Sequence, residues 1–338
     1  VRIHAPSITS NEIGPNEHLH PQFPVLPCDC SSCFTDWPAH IPHSDHRRRE
    51  SLRNEPSMST LALGMIAALC WGFHDICVRF LSQKTPLSAC IFTVLLTGLV
   101  FHIGLMTATG GFAPLPPQAL WLASGAGVFF VIATFGLYYA FQRGPVRLVA
   151  PLVAGYPILS VGLAAATGTP VSALQWLAVA AIVTGVATVA ALSDDSTDEV
   201  PAKGPTILYS VIAALGFAGT FALGQHAAEL GGEMPSTLIT RILAVGLTVT
   251  VLVVFKLPFW PGKGALPLLV AMGVADGIAL LCVLSAGRLP DPQYAAVTSS
   301  MFGLLTILLA WLLLKERMSL PQWGGCIVAF CGVGYLAL

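Results

Sequence analysis

Ser172-Ala173-Leu174-Gln175-Trp176 stands at the head of an apolar run and returns as Ser319-Leu320-Pro321-Gln322-Trp323 at the head of the last such run. Each is a Ser-x-x-Gln box, in which the serine hydroxyl and glutamine amide satisfy the orphan amides where a helix begins. Two further matches keep nearly the same spacing. Ala67-Ala68-Leu69 pairs with Ala213-Ala214-Leu215, and Pro86 and Pro235 each open an apolar run. The chain reads as two similar halves joined by the hydrophilic Asp194-Asp195-Ser196-Thr197-Asp198-Glu199.

Composition says what solvent these halves meet. Of 338 residues, 55% are hydrophobic and only 10% charged, with a mean hydropathy of +0.75. A soluble domain carries roughly a quarter charged residues, so the partner surface is a lipid bilayer. A net charge of −1 offers no basic stripe and excludes nucleic acid as a partner. A hydrocarbon core of ~30 Å takes about 20 apolar residues as a helix. That ruler places spans near 60–81, 87–107, 118–141, 146–167, 173–192, 206–228, 236–256, 265–286, 293–314 and 321–338. The expected fold is an all-α integral membrane protein with ten transmembrane helices in two five-helix repeats. Residues 58–192 form the first repeat, 193–205 the acidic linker and 206–338 the second repeat. Five is odd, so the second repeat enters the membrane from the opposite side. Such an inverted repeat supplies two exchangeable gates around a midplane site, as in many secondary transporters.

Residues 1–57 differ from everything after them. They hold six of the nine histidines and Cys28-Asp29-Cys30-Ser31-Ser32-Cys33, without helical or strand periodicity. A metal-binding tail would need a second ligand cluster at zinc-module spacing, and the stretch has none; its composition is that of a disordered extension. Met58-Ser59-Thr60 stands directly before the first apolar run, and Met58 is the expected start of the functional protein. The six cysteines inside apolar runs read as small buried hydrophobes.

Leu312-Leu313-Leu314-Lys315-Glu316-Arg317-Met318-Ser319, followed by Gln322-Trp323-Gly324 and Gly332-Val333-Gly334, resembles the end of an EamA repeat of the drug/metabolite transporter superfamily. Ala68-Leu69-Cys70-Trp71-Gly72 is similar to the opening of its first helix, and Arg241 to a basic residue of its second. The resemblance runs from about 58 to 338. It implies a ten-helix carrier of small metabolites, amino acids or drugs, usually moving them outward. The first half departs from the pattern, with Thr169 opposite Glu316 and Phe92 opposite Arg241.

An ionisable side chain at the bilayer centre costs about 2.5 kcal/mol or more, so each one needs a reason. Asp276, in Gly273-Val274-Ala275-Asp276-Gly277, lies mid-span. It is either helix-to-helix glue or the ion-coupling residue, and Arg241 is its expected charge partner. Asp75 and Arg79 stand at i,i+4 with the acid first, the favourable order for an ion pair, with His74 beside them. The chain's path carries His74, Asp75 and Arg79 toward one face of the membrane and Gln225, His226 and Arg241 toward the other, as two polar gates. The expected pathway set is Trp71, His74, Asp75, Tyr156, Gln225, His226, Arg241 and Asp276. Glu316 is expected only to order the turn before the last span.

The membrane portion has no His-Glu-x-x-His, Gly-x-Ser-x-Gly or Walker loop, and no cofactor or metal is expected. The reading is a secondary transporter of a small molecule across the cytoplasmic membrane, facilitative or coupled to a gradient, with protons as candidate ion. A lipid-acting membrane enzyme would need polar ligands clustered at one interface, and a sensor or scaffold would have no use for the inverted repeat. Orientation has two readings. Lys84, Arg143, Arg147, Lys203, Lys256, Lys263, Lys315 and Arg317 fall on one face, against Arg288 on the other. By the positive-inside rule the richer face is cytoplasmic and the termini outside; the family resemblance implies the reverse.

Overall fold

A computed structural model describes residues 58–111, 113–166, 171–192, 203–289, 293–316 and 318–336. The tail, most of the acidic linker, Thr169 and Arg317 lie outside the described residues. Twelve helices occupy the described part: α1 Met58–Leu81, α2 Leu87–Thr109, α3 Pro117–Arg143, α4 Val146–Ala154, α5 Pro157–Ala166, α6 Ala173–Ala191, α7 Lys203–Gly231, α8 Glu233–Val254, α9 Leu266–Ser285, α10 Gln293–Ser299, α11 Phe302–Leu309 and α12 Leu320–Leu336. A 3₁₀ turn, Ala286–Arg288, extends α9, and a π turn, Ala310–Leu314, extends α11. Six helices, α1–α3 and α7–α9, are long and apolar enough to cross a membrane.

The helix boundaries follow from local chemistry. Pro86 and Pro116 precede α2 and α3, where a missing N–H costs nothing. Gly110, at φ 69°, closes α2 in the left-handed conformation a Cβ would disfavour. Both Ser-x-x-Gln boxes form: Gln175 Oε1 accepts from the Ser172 amide at 2.8 Å, and Gln322 Oε1 from the Ser319 amide at 2.9 Å. Gln322 also donates to the Leu192 carbonyl at 3.1 Å, so the second box ties the start of α12 to the end of α6.

Two expected spans are each split. The fourth segment is α4 and α5, interrupted at Gly155-Tyr156; the ninth is α10 and α11, interrupted at Ser300-Met301. In the fourth, Pro157 has no N–H and disfavours helical geometry at Tyr156. The Gly155 and Tyr156 amides turn to the carbonyls three residues back, Leu152 and Val153, both at 3.3 Å. In the ninth no proline is involved. The Ser299 hydroxyl donates to the Ala296 carbonyl at 2.8 Å, competing for a helical acceptor, and the Met301 and Gly303 amides bond three residues back.

The halves interleave. α1 packs on α9, α10 and α11, while α7 packs on α3 and α4; α2 packs on α8 and α9, and α8 in turn on α3; α6 packs on α12. Exchanging the halves maps this pattern onto itself, as two copies of one five-segment motif require. α3 and α7 approach closely enough that only glycine fits between them. A Cβ on Gly216 would stand 2.6 Å from the Ala133 amide nitrogen, and one on Gly136 2.9 Å from the Tyr209 carbonyl. Large apolar side chains point outward along the bundle, including Val100, Trp121, Leu177 and Val254, whereas Thr, Ser, His, Asp and Arg side chains are buried inside it. This is the distribution a lipid solvent favours.

Candidate functional site

Four buried polar side chains, His74, Asp75, Thr134 and Asp276, line one cavity inside the bundle. Trp71, His74 and Asp75 of α1 line it together with Asp276 of α9, Phe130, Thr134 and Leu137 of α3, Phe217 and Phe221 of α7, and Phe302 of α11. Its volume of about 20 Å³ leaves room for roughly one water molecule.

Asp276 is the hub. It lies ten residues into α9, ~15 Å along the axis. Its Oδ1 accepts from the Trp71 indole N–H at 3.0 Å and its Oδ2 from Arg241 at 2.6 Å; Arg241 also donates to the Asp276 carbonyl at 2.9 Å. The guanidinium carbon stands 4.8 Å from the centre of the Phe130 ring, a cation–π contact that adds to the pair. Room for this long side chain comes from glycine. A Cβ on Gly98 would meet the Arg241 guanidinium at 2.8 Å, and one on Gly273 the Val94 carbonyl at 2.7 Å. The expected partner is therefore the observed one. Arg241 is wholly buried and reaches the Asp276 carboxylate directly.

His74 and Asp75 form a second pair on the cavity wall. One ring nitrogen of His74 lies 3.0 Å from Asp75 Oδ1 and the other 3.1 Å from the Tyr138 hydroxyl of α3. Asp75 Oδ2 is buried and has no hydrogen-bond partner among the described residues. Arg79 does not neutralise Asp75 as expected. It donates to the Phe141 and Gln142 carbonyls at 2.8 and 3.4 Å, closing the C-terminal end of α3, whose last carbonyls have no partner within the helix.

The rings around the cavity pack on one another. Trp71 lies 5.5 Å from Phe221, 6.1 Å from Phe217 and 6.1 Å edge-on to Phe302. Tyr156, at the break between α4 and α5, sits 5.2 Å edge-on to Phe221. Its hydroxyl reaches the break in the other half, donating to the Ala296 carbonyl and lying 2.7 Å from the Ser299 hydroxyl. A Tyr156→Phe variant should fold and lose on the order of 1 kcal/mol, seen as a thermal midpoint lowered by a few degrees in detergent. An unchanged midpoint would show that the hydroxyl does not hold the two breaks together.

Of the eight residues expected on the pathway, Trp71, His74, Asp75 and Asp276 line the cavity, with Arg241 directly behind and Tyr156 one ring away. Gln225 and His226 do not join them. Gln225 donates to the Val283 carbonyl of α9 at 3.1 Å, and His226 is half exposed, 2.9 Å from Glu229 on its own helix. Arg241 was expected beside these two, at the face opposite His74. Its side chain reaches inward to Asp276, as the expected pairing requires, so the charges gather at one site rather than two gates. The sequence reading missed Phe130, Tyr138, Phe217, Phe221 and Phe302. One signal was present: Phe217 stands opposite Trp71 at the offset that relates Ala213 to Ala67.

Glu316 does more than order a turn. Its carboxylate accepts from the Val146 and Arg147 amides at 3.1 and 3.3 Å, capping α4 of the other half at a helix N-terminus that favours negative charge.

The sequence model of the EamA-like transporter family matches residues 58–191 and again 204–338. The chain belongs to that family, within the drug/metabolite transporter superfamily, and is a multi-pass membrane protein. A solved structure titled only "Crystal structure of protein" is similar to it at a TM-score of 0.63, with 19% identity over 83% of this chain and 98% of its own. At that identity it shows the fold alone. No curated protein matches the chain.

Proposed function

We propose that the chain is a secondary transporter of a small metabolite, amino acid or drug, acting as an exporter in the plasma membrane and binding its substrate in the cavity around Asp75 and Asp276. One observation carries the reading: both halves contribute to a buried polar cluster at mid-depth, through the Trp71–Asp276 bond, where two segments are broken at corresponding places. Discontinuous helices meeting at the repeat interface are how many carriers build a midplane site. Alternate opening at either end of an inverted pair of repeats would expose it to each side in turn. The remaining four segments complete ten crossings: α6, of 19 residues, and α12, of 17, span ~26–28 Å, and the two broken segments cross in pieces.

The test is counterflow in proteoliposomes against a panel of amino acids, nucleosides and organic cations. Saturable uptake of labelled solute driven by the unlabelled one is expected, and absence of exchange for every class would refute the assignment. For orientation, the charge count predicts that a cysteine introduced at Ser196, in a variant lacking other reactive thiols, is shielded from an impermeant maleimide in intact cells. Labelling there would place the lysine-rich face outside.

A further inference from the structure

A second cavity, of about 420 Å³, lies where α2 ends and α3 and α8 begin, at the opposite end of α3 from the Glu316 turn. Met106 of α2, Ala113 before α3, and Pro235 and Leu238 of α8 are among its walls. Gly98, His102 and Met106 follow one another at four-residue intervals on one buried face of α2. That face runs ~12 Å from the Gly98 cradle of Arg241 to the cavity, with His102 halfway. Its Nδ1 lies 2.7 Å from the Gly98 carbonyl. A carbonyl only accepts, so the neutral ring carries its proton there and offers a lone pair at Nε2. Nε2 is buried and has no hydrogen-bond partner among the described residues, and neither has the Arg241 Nε–H. A histidine kept for packing alone would engage both nitrogens, as His74 does.

Resting on the transporter reading above, we propose that the substrate's path between the central cavity and this end of the bundle runs along the Gly98–His102–Met106 face of α2. Met106 is its apolar plug, and His102 Nε2 is the post that accepts a hydrogen bond from a passing N–H or O–H. The plug has the chemistry for the task. Met106 is only 2% exposed although it borders the cavity, and its unbranched thioether can swing aside on three rotatable bonds without moving the backbone. An apolar constriction excludes water until it moves, as hydrophobic gates do. The lone pair meets the next requirement. A polar solute past the plug has lost its water and comes under the buried charges of Arg241 and Asp276, and an acceptor at half distance offsets part of that desolvation. The α8 wall leads the same way: Leu238 lines the cavity, and Arg241 stands about one turn further along the helix.

Diethyl pyrocarbonate, which acylates an unprotonated imidazole nitrogen, tests the route in proteoliposomes, with His102 followed by peptide mass spectrometry. Met106→Ala should accelerate His102 modification at least tenfold, and Met106→Phe should not accelerate it. His74, whose nitrogens are both engaged, should respond to neither. A cysteine in place of Ala113, in a variant lacking other reactive thiols, should react with an impermeant maleimide. In counterflow of the amino acid, nucleoside or organic cation that exchanges, His102→Leu should slow exchange at least tenfold. His102→Gln, which keeps an acceptor oxygen, should slow it no more than about threefold. Should Met106→Ala or His102→Leu elute as aggregate, Met106→Val and His102→Met replace them with the same expectations. His102 modification that is equal in all Met106 variants, or absent in all, would overturn the route. So would no maleimide reaction at position 113, which would place lipid tails in the cavity. Exchange as fast in His102→Leu as in wild type refutes the route and leaves transport standing. No exchange of any solute, with His102 modification still governed by Met106, refutes transport and leaves the plugged passage standing.

Discussion

Arg241→Leu should strongly destabilise the folded protein, and adding Asp276→Leu should restore most of the loss. Arg241 is fully buried, and its removal leaves the Asp276 carboxylate buried with only the Trp71 indole as donor. Truncating one partner of a buried ion pair costs about 3–5 kcal/mol, while replacing both by apolar residues of similar volume is often neutral. On thermal unfolding followed by size-exclusion fluorescence, the single variant should lose on the order of 10 °C. The double variant should recover most of that, because the gap opened by Gly98 is then filled by hydrocarbon. Neither should transport, since Asp276 lines the cavity. A single variant within a degree or two of wild type would show that the pair adds little to the fold, and its carboxylate would then be free to serve elsewhere.

That pair was legible in the sequence for a simple reason. A short acid far from either helix end has no route to water, and a long basic side chain on a neighbouring segment is the natural partner. The capping boxes were legible too, because Ser-x-x-Gln acts within one helical turn. The six long apolar helices were legible as well, since apolar run length is what marks a span. Direction around the helix was not. A span apolar on all sides gives no amphipathic stripe to say which face meets protein and which meets lipid. Hence His226 was placed with Arg241, although its side chain turns outward to Glu229, and the ring set was overlooked among 17 phenylalanines. The break at Tyr156 had a visible cause in Pro157. The break after Ser299 did not, because a serine bonding back to its own helix looks in sequence like any other small residue.

Glu316 shows the same limit for contacts between distant segments, and it yields the second large effect. Its place before α12 suggested a local role, yet its two oxygens accept from the Val146 and Arg147 amides of the other half. Those amides stand at the start of α4 without helical partners. Hydrogen bonds to a charged acceptor contribute about 1.5–3 kcal/mol each. Arg79 fastens α1 to the end of α3 at the same end of the bundle, and Gln322 fastens the start of α12 to the end of α6, so the carboxylate is one of several polar ties there. Glu316→Ala should therefore loosen this end and leave the Trp71–Asp276–Arg241 cluster intact. A cysteine in place of Val146, buried in the capped turn, reports the change. In an otherwise unreactive background its alkylation by a soluble maleimide should accelerate at least tenfold in the Glu316→Ala variant, corresponding to loss of about 1.4 kcal/mol or more of closed-state stabilisation. Glu316→Gln, which keeps one neutral acceptor oxygen and turns the other site into a donor, should fall between. An alkylation rate equal in all three would show that this end is closed by the apolar packing of α11 on α4, with Glu316 serving only as a helix cap.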